Sequence, residues 1–154
     1  MMNGLQTDLL SALPEMFVLG MAMFILLIDL FLKPSSRIAI FLLAQITLLG
    51  AAFITVSTHH PSVTYAFSGM FVDDPLADVM KLMIYLGSSL LLVYSRQYIS
   101  LRGMFRGEFY ALTLFSIAGM MIMVSGQHFL TLYMGLELLS LCLYALVAMD
   151  RDNA

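Results

Sequence analysis

The stretch FLTLYMGLELLSLCLYALVAM, residues 129–149, is 21 residues long and carries a single charge, Glu137. An α-helix rises 1.5 Å per residue, so such a run covers about 30 Å, the hydrocarbon thickness of a bilayer. In lipid every backbone polar group must be paired internally, which makes the run a helix. A barrel strand would alternate apolar and polar side chains, and this run does not.

Four further stretches read the same way: 13–32, 38–56, 76–95 and 108–125. With 129–149 they take 98 of 154 residues, leaving little for a soluble domain. The composition agrees. The hydrophobic fraction is 61% and the charged fraction 11%, against roughly 25% charged in a soluble domain. Mean hydropathy is +0.94. Disorder is excluded by the hydrophobicity, and a disulfide scaffold by the single cysteine, Cys142. The formal charge of −3 and the scattered cations speak against nucleic acid as a partner. The expected fold is an all-α integral membrane protein of five transmembrane helices in one membrane domain, residues 1–154, with the lipid bilayer as solvent.

The links between spans carry an orientation signal. Lys33 and Arg37 lie between spans 1 and 2, Arg96, Arg102 and Arg106 between 3 and 4, and Arg151 after span 5. Under strict alternation six of seven cations share one side, which the positive-inside rule makes cytoplasmic. The N-terminus is then outside and the C-terminus inside. Residues 1–12 carry no cation and no A-x-A-like site follows the first apolar run, so that span is expected to persist rather than be cleaved.

The link 57–75 holds no Lys or Arg. Val63–Phe67 alternates, Ser68-Gly69 is a turn pair and Met70-Phe71-Val72 resumes the apolar pattern, which reads either as a short hairpin or as an irregular interfacial loop. Asp74 and Pro75 mark the cap and first position of span 3, and Pro14 and Glu15 the first turn of span 1. The three-residue link Gly126–His128 makes spans 4 and 5 adjacent and antiparallel.

Most charges lie at span ends. Asp29 with Lys33, and Asp78 with Lys81, have the spacing of local helical pairs, and the Lys81 stem is long enough to snorkel to the interface. Glu137 lies eight residues into its span, about 12 Å from the end. Tyr133, Ser140 and Tyr144 share its stripe. Two readings stand: a neutral or paired acid that binds helices together, or a proton-relay residue facing protein or a polar cavity. Lys81, at a similar depth, is a possible charge partner. His59, His60 and His128 do not have zinc spacing, the fourteen Met are packing residues, and Cys142 packs as a small apolar group. Gly103 and Gly107 form a GxxxG in a link, where it carries no helix-dimer meaning. No nucleotide, haem, iron–sulfur, metal or catalytic triad motif is present in the sequence.

Phe109-Tyr110-Ala111-Leu112, Gly119-Met120-Met121 and Leu130-Thr131-Leu132-Tyr133-Met134-Gly135-Leu136-Glu137-Leu138-Leu139-Ser140-Leu141 resemble spans 4 and 5 of the antiporter-like membrane subunits of the proton-pumping NADH:quinone oxidoreductase, complex I. Leu13-Pro14-Glu15, Leu27-Ile28-Asp29-Leu30-Phe31 and Met70-Phe71-Val72-Asp73-Asp74-Pro75 place the resemblance in the bacterial subunit N branch, over nearly the whole chain. The resemblance implies a proton-channel half in a larger antiporter-like helix bundle of the bacterial cytoplasmic (inner) membrane. It implies that Glu137 is the proton-relay acid, with Tyr133, Ser140 and Tyr144 around it. In the family that acid pairs with a lysine on a later, broken helix, and members carry many more spans than five. The chain is therefore expected to be the N-terminal part of a longer subunit. The partners implied are the other membrane subunits of complex I. NADH, flavin, iron–sulfur clusters and quinone are expected elsewhere in the complex, with no cofactor bound and no redox catalysis by this chain. A cation/proton antiporter subunit and a structural membrane anchor without an ionic role are the alternatives.

Overall fold

A computed structural model describes residues 8–31, 37–59, 63–101 and 107–149. Five long helices follow in order: α1 (Leu13–Phe31), α2 (Arg37–Ser57), α3 (Pro75–Leu101), α4 (Gly107–Ser125) and α5 (Phe129–Ala148). All five contain stretches long and apolar enough to cross a membrane. Four of them match the sequence-derived boundaries to within a residue at each end. α3 is the exception, running 27 residues and ending at Leu101 rather than Ser95. Arg96 and Gln97 are good helix formers, and no Gly or Pro stops the chain before Gly103. At 1.5 Å per residue α3 is about 40 Å long, more than the hydrocarbon core requires. Arg96, expected in a link, is thus a helix residue, and its guanidinium lies over the Phe41 ring, 4.9 Å from the centroid.

α4 is the central helix. It packs against α1, α2, α3 and α5, and half of its apolar window is buried, against 11% for α5. The sequence gives the physical reason: Ala111, Ser116, Ala118 and Gly119 are small, so neighbouring backbones can come close. The core around it is built from Val18, Ala22 and Ile25 of α1, Ala44 and Leu48 of α2, and Leu114, Ile117 and Met121 of α4. Phe41 and Tyr110 meet edge to face, with ring centroids 6.1 Å apart. α4 and α5 pack side by side and antiparallel, as their short link requires.

Between α2 and α3 the chain forms the hairpin that the alternation suggested. β1 (Thr64–Ala66) pairs antiparallel with β2 (Phe71–Asp73), with Thr64 opposite Asp73 and Ala66 opposite Phe71. The reversal is a left-handed turn, Phe67–Gly69, whose three residues all have positive φ (53°, 58° and 84°). Gly69 takes the largest of these at no steric cost. The hairpin is tied across the bundle end. Phe71 bridges to Gly126, and the Gln127 amide donates to the Met70 carbonyl at 3.1 Å. Asp74 caps α3 as expected, its Oδ1 accepting from the Ala77 amide at 2.8 Å, with Pro75 in the first turn.

Candidate functional site

Glu137 sits in the middle third of α5, and Tyr133, Ser140 and Tyr144 share its face. Burial of that face within the chain does not hold. Glu137 is exposed, Tyr133 is 54% exposed and Tyr144 70%. The Ser140 hydroxyl bonds back to the Leu136 carbonyl of its own helix, not to the carboxylate. The cause is helix geometry. α5 packs on α4 through Gly135 and Cys142, both buried. At about 100° per residue the Glu137 stripe lies on the opposite side of the cylinder from those two. Gly119 and Gly135 set this orientation, because only a side of α5 without a Cβ can approach α4 so closely: a Cβ at Gly135 would stand 2.8 Å from the Gly119 carbonyl oxygen. The stripe is therefore a contiguous row of one carboxyl and three hydroxyls on the outward face of an edge helix.

The second correction concerns Lys81. It neither snorkels to the interface nor reaches Glu137. Its side chain is fully buried, and Nζ lies 2.7 Å from Oε1 of Glu15, itself buried. Phe71 of the hairpin covers the pair, with Nζ 5.4 Å from the ring centroid. The stem does extend toward the hairpin end, but α1 and β2 occupy that end, so the ammonium meets a carboxylate where water was expected. Charges buried this deeply persist only when paired. Glu15 was legible only as a first-turn acid. What makes it a site residue is its apposition to α3, which no spacing within either helix encodes.

Asp78 is correspondingly released from the local pair with Lys81 that their spacing suggested. Its Oδ2 lies 2.7 Å from Nδ1 of His59, two residues beyond the end of α2. One turn beyond Lys81, the Tyr85 hydroxyl lies 3.3 Å from the Thr55 hydroxyl. One turn further, Ser89 Oγ donates to Gln45 Oε1 at 2.5 Å, and Gln45 Nε2 donates to the Ser89 carbonyl at 3.2 Å. Asp78, Lys81, Tyr85 and Ser89 thus line one face of α3, Lys81 answered from α1, Tyr85 and Ser89 from α2, and Asp78 from His59 just beyond α2.

The remaining candidates have local roles. Leu130 N donates to His128 Nδ1 at 3.2 Å, making His128 the N-cap of α5. His60 lies outside the described residues, as do Lys33, the proposed partner of Asp29, and Gly103 of the GxxxG pair. Asp29 packs against Gly107, where a Cβ would overlap its carboxyl group. Among the described residues no group of three or more His, Cys, Asp or Glu is arranged to hold a metal ion.

No family model matches the chain. Individual relatives do. The chain is 69% identical over 153 residues to NADH-quinone oxidoreductase subunit N of Methylovorus glucosotrophus, covering 99% of this chain and 32% of the relative. It is 52% identical over 143 residues to the subunit N of Thiobacillus denitrificans, covering 93% of the chain and 30% of the relative. To that of Nitrosomonas europaea it is 48% identical over 153 residues, covering 99% and 32%. The chain spans about a third of the length of these curated relatives. It is homologous, along 99% of its own length, to NADH-quinone oxidoreductase subunit N.

Proposed function

We propose that the chain is the N-terminal portion of a subunit N and that it contributes to proton translocation across the bacterial inner membrane, coupled to quinone reduction elsewhere in the same complex. The observation that carries this reading is the 69% identity over 99% of the chain to a protein of that name. In this reading the chain is part of a translocase and performs no redox chemistry. NADH, flavin, iron–sulfur clusters and quinone are held by other subunits, which are its partners along with lipid.

The arrangement of α5 supports a relay role for Glu137. A carboxyl eight residues into a membrane helix is costly unless protein or water receives it. Here it faces away from α4, on an edge helix, with Tyr133, Ser140 and Tyr144 beside it. That face suits the later helix, bearing a lysine, which the family resemblance implies. A carboxyl facing such a cation can be switched between charged and neutral states as the cation moves.

The test is Glu137→Gln in native membrane vesicles. The amide keeps the size and removes the titratable group. We expect NADH oxidation to persist while protons moved per NADH fall by roughly an order of magnitude, the usual scale for loss of an acid–base group being 10²–10⁴ in its own step. Unchanged proton yield would make α1–α5 a membrane anchor. A yield that depends on sodium would favour the cation/proton antiporter reading.

A further inference from the structure

The cleft between α2 and α3 lies away from the α5 stripe, and nothing in the reading above uses it. Two cavities line up along it. The deeper one, of about 370 Å³, has buried Leu48 and Tyr85 at its floor and exposed Leu49, Leu86 and Leu90 at its rims. The other, of about 250 Å³, lies nearer the hairpin end and is walled by Val56, His59, Asp78 and Val79. Leu82 belongs to both. The hydroxyls of Thr55, in the wall of one, and Tyr85, in the wall of the other, are 3.3 Å apart. The two cavities are therefore one continuous groove.

Its dimensions are those of a lipid tail. From Asp78 to Leu90 the groove follows α3 for twelve residues, about 18 Å at the helical rise. One leaflet of a hydrocarbon core about 30 Å thick has a similar depth. A helix of about 10 Å diameter would take roughly 1,400 Å³ over that length, more than twice what the groove holds. An extended acyl chain is slim enough to enter. The walls suit it too. Tyr85 and Ser89, the polar residues of the deeper cavity, turn their hydroxyls to Thr55 and Gln45, so the surface left for a ligand there is apolar.

The mouth of the groove selects a charge. The His59 and Asp78 side chains are 46% and 10% exposed, and their contact uses Nδ1 and Oδ2. A neutral imidazole donates its Nδ1–H to the carboxylate and keeps Nε2 as an acceptor, while the carboxylate keeps Oδ1. The pair thus offers two acceptors and one net negative charge. Asp73 and Asp74 stand at the same end, the link 57–75 has no Lys or Arg, and Lys81 is taken up by Glu15. Anionic headgroups are held by clustered Lys and Arg, which this mouth lacks. It fits a headgroup that brings its own cation and its own N–H donors. We propose that the groove binds phosphatidylethanolamine from the leaflet on the hairpin side. The primary ammonium donates to Asp78 Oδ1 and His59 Nε2, the phosphate stays in interfacial water, and one acyl chain lies along Leu82, Leu86 and Leu90. Phosphatidylcholine carries the charge without the N–H donors, and phosphatidylglycerol carries no cation. The inference requires that α2 and α3 span a bilayer and does not depend on proton translocation.

Photolabelling tests it. The whole complex is reconstituted in phosphatidylcholine vesicles holding a minor fraction of a phospholipid with a diazirine on its acyl chain, the headgroup being ethanolamine, choline or glycerol in turn. After illumination the labelled peptides are identified by mass spectrometry. We expect the ethanolamine lipid to label 48–52 and 82–90 about fivefold more than either of the others, the scale of one partly exposed charged contact. Asp78→Asn removes the negative charge at the mouth and should lower that labelling to the choline level. Equal labelling by the three headgroups overturns the proposal, as does preference for glycerol. So does an assembled Asp78→Asn complex that labels like wild type. If no lipid labels the groove, a protein segment covers it and the proposal is wrong. Should Asp78→Asn not assemble, the three-lipid comparison in the wild type decides by itself.

Discussion

Gly119 of α4 and Gly135 of α5 lie face to face, so that a Cβ built on either would come within 2.9 Å or 2.8 Å of the other's carbonyl oxygen. This close approach fixes the rotation of α5, and with it the direction in which Glu137 looks. A small residue at a helix crossing in lipid brings dispersion contacts that no larger residue permits there.

Gly135→Ala should therefore destabilise the α4–α5 pair by about 1–3 kcal/mol, the usual cost of forcing atoms into a filled contact, even though alanine is the better helix former. Thermal unfolding in mild detergent, followed by circular dichroism, measures it. An equal or higher midpoint would mean that the two backbones have room to separate.

Removing one member of the Glu15–Lys81 pair should be far worse than removing both. Glu15→Ala or Lys81→Ala leaves an uncompensated buried charge and should cost about 3–5 kcal/mol, whereas Glu15→Leu with Lys81→Met replaces the pair by apolar groups and should recover most of it. Resistance to proteolysis in membranes reports the ranking. Additive losses in the double variant would contradict a direct pairing.

Glu137→Gln should leave the folding of these five helices unchanged to within about 0.5 kcal/mol, because its side chain is exposed, on the side of α5 away from α4. A Glu137 that glued helices within the chain would instead lower the unfolding midpoint by several degrees. The comparison separates stability from proton transfer at one residue.

Orientation can be read with thiol reagents in a Cys142→Ser background. The cation bias predicts a hairpin on the outer side, so Ser68→Cys, at the exposed turn, should react with an impermeant maleimide added to intact cells. Ser100→Cys should react only after the membrane is opened. The reverse pattern would invert the topology.

Much of this architecture was legible from the residues alone. Bilayer thickness and the need to pair every backbone group turn an apolar run of 18 to 21 residues into a helix with almost no other choice. Alternation at Val63–Phe67, the Ser68-Gly69 pair and Asp74-Pro75 encode local hydrogen bonding and backbone angles, and they gave the hairpin and the α3 cap. The stripe of Glu137 was also local, since spacing decides which side chains share a face. What spacing could not decide was where that face points, or that Lys81 answers Glu15 and His59 answers Asp78. Those relationships belong to the rotation and apposition of whole helices, set by small residues such as Gly119, Gly135 and Ala118 that carry no charge to announce them. In lipid the sorting of inside from outside is not written in hydrophobicity, because both sides of a membrane helix are apolar; only the packed bundle distinguishes them.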